Sequence, residues 1–201
     1  MIESRAEYLQ YLEADRIALG IKTGTFKTKF AELIYPNPVW NFQKALRKLE
    51  YYCNCRSDII SRLYYYYLEY KFRKLSIRLG FTIPRNVFGP GLAIVHYGTI
   101  VVNDRARIGK NCRIHACTNI GASRGKPEAP QIGDNVYIGP GVCIFGDIKI
   151  GSGIAIGANS TVNKSFEEDN IMIAGSPATK IKEIDISNII KHLSGQDRNG
   201  Q

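Results

Sequence analysis

The chain has 201 residues, 44% hydrophobic and 22% charged, which is an ordinary globular composition with enough length to bury a core. No stretch approaches the roughly 18 apolar residues of a membrane span, and residues 1–10 are acidic and polar, unlike a signal peptide, so we expect a cytoplasmic protein. The net charge of +9 would attract phosphate-bearing ligands, nucleic acid or an anionic membrane, and alone selects none of them.

Residues 1–80 are predicted to form an α-helical N-terminal region. Helices are expected over 3–19, 39–55 and 57–79, with a loop holding Gly24, Pro36 and Pro38 after the first.

The third predicted helix contains four consecutive tyrosines and ends in a basic segment, and residues 1–80 carry 14 Lys and Arg against 8 Asp and Glu. Two interpretations stay open. The one we favour is a cap that packs on the next domain and on a neighbouring subunit; the other is a surface that makes peripheral contact with a membrane. The aromatic residues do not form stacking platforms for bases, so no nucleic acid partner is expected.

Residues 81–180 are dominated by an aliphatic residue that returns at every sixth position. The series is Ile108, Ile114, Ile120, Ile132, Ile138, Ile144, Ile150, Ile156 and Val162. A period of six fits neither an α-helix nor a strand, but it fits a triangular parallel β-helix in which each hexapeptide forms one side. The aliphatic side chain points inward, and the glycine that often follows it avoids a Cβ clash at the corner. Two earlier hexads, at Ile94 and Ile100, precede a phase shift of two residues that we place at 102–107.

Residues 121–131 (GASRGKPEAPQ) interrupt the repeat and are predicted to form a loop that leaves the coil. Its start is one residue short of a P-loop and lacks the Ser/Thr, so that interpretation is rejected. Residues 181–201 are expected to form a short helix near 184–193 and a disordered tail.

The five cysteines are odd in number and lack C-x-x-C spacing, which indicates free thiols in a reducing compartment. We interpret Cys112, Cys117 and Cys143 as small packing residues rather than nucleophiles.

Three histidines offer the main chemistry. His192 lies in the tail and is expected to be exposed, and His115 follows an inward aliphatic at a corner or outward position. His96 is flanked by apolar residues, and an imidazole that titrates near neutrality can deprotonate a hydroxyl as a general base. His96 and His115 are 19 residues apart and could meet across a subunit boundary, but no third ligand is evident, so no metal is expected.

Several segments together resemble the serine acetyltransferase group of left-handed β-helix acyltransferases: the hexapeptide series, the helical N-terminal segment, GPGLAIVH at 89–96, residues 121–132 and AGSPA at 174–178. The resemblance covers about residues 40–182. It implies a mainly β protein built on a left-handed parallel β-helix, acetyl-CoA as donor, and a homotrimer with active sites between subunits. It also implies that His96 is the general base on the acceptor hydroxyl and that backbone N–H groups stabilise the oxyanion.

This sequence departs from the serine-specific pattern at three places. The aspartate that directly precedes the catalytic histidine in that group is Val95 here, and a second aspartate, which orients the histidine, falls near Phe81. The Arg-His pair that holds the acceptor carboxylate aligns with Glu128 and Ala129, and a carboxylate at Glu128 would repel that of serine.

The segment 96–103 (HYGTIVVN) and the short loop ending EAP at 128–130 are similar instead to the serine-acetyltransferase-like proteins of capsule and exopolysaccharide pathways. That similarity implies O-acetylation of a sugar hydroxyl, with Asn103 as a residue that could orient His96. The acceptor-side candidates are Val95, Tyr97 and Glu128.

The donor site is expected along a groove lined by small residues, at Gly121, Ala122, Gly139, Gly157 and Ala158. Lys164 and Lys180 are candidates for contact with the CoA phosphates. We therefore predict an acetyl-CoA-dependent O-acetyltransferase acting on a sugar or polysaccharide precursor. Serine O-acetylation is the alternative, and a non-catalytic β-helix scaffold is a further one.

Overall fold

The computed structural model describes residues 1–22, 34–123 and 125–195. Three α-helices are described within residues 1–80. They are α1 (Arg5–Ala18), α2 (Pro38–Cys55) and α3 (Ile59–Leu79). Each helix begins after a residue whose side chain accepts a hydrogen bond from the first turn, namely Ser4, Asn37 and Asp58. The predicted helices agree with these bounds to within two residues.

Pro38 was expected in the preceding loop but is the first residue of α2, because the first turn of a helix needs no N–H donor there. Gly24 lies outside the described residues.

Short strands follow in the described part of the chain. They are β1 (Phe81–Thr82), β2 (Ala93–Ile94), β3 (Ile100–Val102), β4 (Arg107–Ile108), β5 (Arg113–Ile114), β6 (Thr118–Gly121), β7 (Gln131–Ile132), β8 (Tyr137–Ile138), β9 (Cys143–Phe145), β10 (Lys149–Ile150), β11 (Ala155–Ile156), β12 (Thr161–Val162), β13 (Ile171–Gly175) and β14 (Ala178–Glu183).

These strands form the three sides of a left-handed parallel β-helix, so the predicted fold is confirmed. We call the sheet β14-β13-β11-β8-β5-β2 the first side, β1-β3-β6-β9-β12 the second side and β10-β7-β4 the third side. Each coil runs from the first side through the first corner to the second side, then through the second corner to the third. Among these strands only the β13–β14 pair is antiparallel.

The repeated aliphatic residues fill the interior of the coil. Ile114 pairs with Ile138 and Ile120 with Ile144 in successive coils, and all four side chains are fully buried. Burial of each such side chain contributes about 1.5–3 kcal/mol, and the sum over the series holds the sides together.

At several corners glycine follows the inward aliphatic because the next coil is too close there for a side chain. A Cβ on Gly139 would lie 2.8 Å from the Ile156 carbonyl oxygen and 2.9 Å from the Ala158 nitrogen. The left-handed backbone positions come two residues later, where Asn111 and Asn135 have positive φ and their side chains share a 2.9 Å hydrogen bond.

The phase shift lies elsewhere than predicted. Ile94 pairs with Ile114, and Ile100 pairs with Thr118. From the first side to the second, the first coil therefore needs six positions and the second coil needs four. The two additional residues are therefore in the first corner, which holds His96, and not at 102–107. The sequence does not locate this shift, because Ile100 and Val102 are both buried aliphatic residues and either one suits the inward position.

The helical region is joined to the first coil by buried polar side chains. Arg47 is fully buried, 2.8 Å from Asp15 and 3.0 Å from Glu50, and donates to the carbonyls of Phe88 (2.9 Å) and Gly89 (2.7 Å).

Gln43 makes a second connection. Its amide donates to the Leu92 carbonyl at 2.6 Å and accepts from the Ile94 N–H at 3.2 Å. β2 is the edge strand of the first side, and no earlier coil pairs with it. Gln43 of α2 supplies hydrogen-bond partners for backbone groups at this edge.

The C-terminal segment covers part of the first side. Instead of one helix near 184–193 the structure has two 3-10 helices, Ile186–Asn188 and Lys191–Ser194, and Ile186 and Ile190 pack against Ala155. His192, expected to be exposed, is half-buried, with Nε2 3.4 Å from the Asn111 Oδ1. The last six residues lie outside the described part.

The cysteines of the repeat differ in their surroundings. Cys112 is buried in the core, as predicted, and burial raises the pKa of its thiol to about 12. Cys143 is half-buried, whereas Cys117 is exposed at the first corner and does not serve as a packing residue.

None of the helices within residues 1–22, 34–123 and 125–195 combines the length and apolar character needed to cross a bilayer.

Candidate active site

The additional residues of the first corner carry His96 outward. The preceding backbone is held in the sheet, since the Val95 N–H donates to the Ile114 carbonyl at 3.0 Å. His96 and Tyr97 then leave the coil, and both are exposed, with 68% of Tyr97 accessible. The structure therefore presents the imidazole of His96 at the surface, where a hydroxyl substrate can reach it.

His115 lies beside His96 in the same chain. Because β2 and β5 are neighbours on the first side, the two rings have centroids 6.2 Å apart, and the His115 ring is 5.1 Å from that of Tyr137. The two histidines thus meet by stacking of coils rather than across a subunit boundary. Among the residues that the structure describes, no group of three His, Cys, Asp or Glu side chains could hold a metal ion.

The environment of His115 favours its neutral form. Burial is the main reason that its pKa lies below the ordinary histidine value, and the positive charge of Arg113 and the proximity of His96 lower the pKa further. Its Nε2 atom is buried and has no hydrogen-bond partner within the described chain. A buried imidazole nitrogen with no protein partner is a candidate contact for a bound molecule.

Asn103 is not brought to His96 within one chain. It follows β3 at the second corner, at the other end of the strand from His96, and its Oδ1 accepts a 2.9 Å hydrogen bond from the Arg105 N–H. Phe81, at the position aligned with the orienting aspartate, is a buried core residue 4.9 Å from the ring of Phe42. Neither side chain orients His96 within the described chain.

The predicted donor-site residues divide between two corners. Gly139, Gly157 and Ala158 follow β8 and β11 at the first corner, in the same column as His115. Gly121 and Ala122 lie at the second corner, where the loop begins. Coil packing alone requires some of these glycines, since a Cβ on Gly157 would lie 2.9 Å from the Ala174 Cβ. Gly139, Gly157 and Ala158 together form a strip of small residues in the same corner as His115.

The two predicted lysines have different surroundings. Lys164 is exposed near the second corner, with Nζ 5.4 Å from the centroid of the Phe166 ring. Lys180 is 2.5 Å from a Glu168 oxygen and 3.8 Å from Glu183, so its charge is already compensated in this structure.

The loop of residues 121–131 projects from the second corner. Ile108 pairs with Ile132 and Val102 with Ile120, so the second coil uses twelve residues there where the first uses six. Ala129 is buried at its base while Glu128 is exposed.

A cavity of about 340 Å³ lies beside this loop. Its lining includes Lys126, Phe145 and Asp147.

Within one chain, His96 and Glu128 lie at different corners of the triangle. The second side, with strands β3 and β6, separates them. A site that uses both residues therefore requires the first corner of one chain to face the second corner of another.

Comparison with known proteins agrees with this architecture. Residues 129–164 match the family model described as bacterial transferase hexapeptide (six repeats). The serine acetyltransferase of Staphylococcus aureus (strain Mu50 / ATCC 700699) is 36% identical over 103 residues, which are 50% of this chain and 47% of that protein. That of Buchnera aphidicola subsp. Schizaphis graminum is 35% identical over 108 residues, 52% of this chain and 41% of that one. The chain thus spans about half the length of the curated relatives it matches.

Solved structures extend the similarity to most of the chain. The serine acetyltransferase of Neisseria gonorrhoeae superimposes with a TM-score of 0.68 at 26% identity, over 90% of this chain and 68% of that one. The Brucella abortus serine acetyltransferase in complex with coenzyme A gives a TM-score of 0.69 at 24% identity, over 90% and 70% respectively, which shows the shared fold. The chain is thus similar to hexapeptide-repeat transferases over residues 129–164 and to serine acetyltransferases over about half of its length in sequence and most of its length in fold.

Proposed function

We propose that the protein is an acetyl-CoA-dependent O-acetyltransferase in which His96 acts as the general base. The observation that carries this proposal is the insertion in the first corner, which turns His96 outward beside the neutral ring of His115. The serine acetyltransferase homologues support an acyl transfer reaction of the same class.

The chemistry needs one proton transfer from the acceptor hydroxyl. The imidazole of His96 removes this proton while the hydroxyl oxygen attacks the acyl carbonyl, and it returns the proton to the sulfur as the carbon–sulfur bond breaks, which gives the acyl ester and free CoA. The lowered pKa of His115 favours its neutral form, so this ring adds no positive charge beside His96.

Acetyl-CoA is the donor that the relatives' chemistry implies, and it supplies the thioester from which the acyl group leaves. The strip of small residues formed by Gly139, Gly157 and Ala158 is the surface that we assign to the extended thiol arm, since its largest side chain is a methyl group. The unpartnered Nε2 of His115 adds a polar contact at the upper end of this strip.

We further propose a homotrimer with its active sites between subunits. The separation of His96 from the loop at 121–131 by a whole side of the triangle supports this arrangement. Gly121, Ala122 and Lys164 would then complete the donor groove from the second corner of the neighbouring chain.

L-Serine is the first acceptor to test, because the relatives with matching repeats are serine acetyltransferases. A sugar hydroxyl is the second candidate, favoured by the acceptor-side residues. Val95 offers no charge to an ammonium group, and Glu128 would repel a carboxylate, whereas the exposed ring of Tyr97 provides a flat surface for a sugar.

The test is release of free CoA from acetyl-CoA, measured by chromatography with L-serine and in parallel with a panel of sugars and nucleotide sugars. We expect His96→Ala to lower kcat about 10²–10⁴-fold with acetyl-CoA affinity retained, and His192→Ala, at the remaining histidine, to preserve turnover. Serine turnover that depends on His96 would remove the sugar candidate. Binding of acetyl-CoA with no turnover of any acceptor would point to the scaffold alternative.

A further inference from the structure

The outward face of α3 is apolar along its centre. Ile59, Leu63, Tyr66, Tyr70 and Ile77 are exposed to 79%, 67%, 62%, 57% and 83% respectively. Their spacing of four, three, four and seven residues places them on one line along the helix. We call these five residues the α3 outer stripe, and nothing in the described chain covers it.

Basic side chains border this stripe on both sides. At 100° per residue, Arg62 and Arg73 lie along one edge and Lys71, Lys74 and Arg78 along the other, and all five are exposed.

The acidic residue within α3, Glu69, lies next to Arg62 around the helix, but it is half-buried and its charge is paired. Its carboxylate accepts a 3.0 Å hydrogen bond from the Tyr65 hydroxyl and lies 3.8 Å from Arg85. The outward face is therefore apolar at its centre and positive at both margins.

The opposite face of α3 is fixed to the protein. Leu68, Phe72 and Leu79 are buried in the core, and Phe72 stacks on Phe42 with centroids 5.0 Å apart. Because this face is anchored, contact of the outer face with another surface requires no unfolding of the helix.

The charge pattern distinguishes between two possible occupants. A second copy of α3 on the stripe would bring basic margins against basic margins, and like charges at helix interfaces are destabilising. An anionic surface complements both margins at once. Aliphatic and tyrosine side chains at the centre and lysine or arginine at the edges are the pattern of a helix that lies in a membrane interface.

We propose that the α3 outer stripe and its basic margins dock the protein on an anionic lipid bilayer, with α3 parallel to the membrane surface. At 1.5 Å per residue the 21 residues of α3 give a contact roughly 31 Å long. Lys74 lies 4.5 Å from the centroid of the Tyr70 ring and Lys71 5.3 Å from that of Tyr67, so cations already flank the rings that would reach the headgroups.

The experiment is sedimentation of the full chain with vesicles of phosphatidylcholine alone and of phosphatidylcholine with 30% phosphatidylserine. The test variant is the triple change Lys71→Gln, Arg73→Gln and Lys74→Gln. The matched control is Arg105→Gln, Lys110→Gln and Lys182→Gln, which removes the same charge from exposed sites outside α3.

We expect binding to the anionic vesicles only, with the control close to wild type. The α3 triple variant should bind roughly 100-fold more weakly, since each basic side chain near such a surface contributes about a fivefold factor. A second variant, Leu63→Ser with Ile77→Ser, keeps the charge and should also weaken binding.

Equal loss of binding in the two triple variants would overturn the proposal, because the effect would then be that of net charge alone. Absence of wild-type binding to anionic vesicles would also overturn it. A third outcome would assign the stripe to a second copy of the chain. In it the wild-type protein binds no vesicles, and Leu63→Ser with Ile77→Ser lowers the molar mass of the protein when it is sedimented without vesicles. None of these residues is in the proposed site, so acetyl transfer in solution serves as the check on folding.

Discussion

Replacement of Arg47 by methionine should strongly destabilise the protein, because this side chain joins the helical region to the first coil. The guanidinium is fully buried and contacts Asp15, Glu50 and the carbonyls of Phe88 and Gly89. Burial, the largest influence, would lower the pKa of Arg47, but the two carboxylates outweigh it and raise that pKa, so the charge is retained.

The expected cost follows from what the substitution leaves behind. Methionine fills a similar volume, but Asp15 and Glu50 stay buried without their cation and two carbonyls lose their donors. Removal of one partner of a buried ion pair typically costs about 3–5 kcal/mol, a large part of the 5–15 kcal/mol that stabilises a typical domain. Asp15 keeps its hydrogen bonds from the N–H groups of Gly91 and Leu92, which places the expected loss near 4 kcal/mol.

Equilibrium unfolding in urea at fixed protein concentration measures this loss, since stability of an oligomer depends on concentration. Arg85→Met is the control, because Arg85 is partly exposed and its pair with Glu69 spans 3.8 Å. We expect it to lose less than about 1 kcal/mol. If Arg47→Met also lost less than about 1 kcal/mol, the buried network would not be what joins the helices to the coil.

Two further predictions concern the coil. Gly139→Ala should cost about 1–3 kcal/mol, because its Cβ would lie 2.8 Å from the Ile156 carbonyl oxygen. Gly121→Ala should cost less, because the nearest atom, 3.2 Å away, belongs to the movable side chain of Asn119; equal losses in urea unfolding would contradict the spacing argument. The pKa of His115 is lower in the folded protein than in the unfolded chain, where it is about 6.5. As pH falls below this value, His115 is therefore protonated in the unfolded chain before it is protonated in the folded protein. His115 should therefore contribute stability above that pH which is lost as pH falls through its lower folded pKa, and thermal unfolding of His115→Asn should depend less on pH between 7 and 5.

The sequence predicted the fold because one physical constraint repeats in every coil. An inward aliphatic and the close approach of the next coil appear together in Ile132-Gly133, Ile138-Gly139 and Ile156-Gly157, so the period alone identifies the architecture. The helices were predictable for a comparable reason, since capping residues stand at their starts.

The arrangement of the site was less accessible, because it depends on where the coil is interrupted. Asn103 is seven positions from His96, yet a strand separates them and they occupy different corners. His115 is nineteen positions away and is the neighbour. One coil of eighteen residues with two inserted makes the twenty positions from Ile94 to Ile114, which brings His115 beside His96 with a shift of one position. The pairing of Ile100 with Thr118 fixes that count, and no pattern in the sequence distinguishes Ile100 from Val102 as the inward residue.

The two interruptions of the repeat explain how a uniform coil acquires a specific site. The pair of additional residues at the first corner moves His96 out of the sheet, and the six at the second corner form the loop with Glu128. In the acetyltransferase that we propose, the uninterrupted coils contribute only small corner residues, which receive the extended donor. In that proposal acceptor selection depends on the insertions, and Val95, Tyr97 and Glu128 belong to them or adjoin them. Serine acetyltransferases share the coil with this chain, so exchange of these three residues, rather than of the coil, is the change that should alter the acceptor.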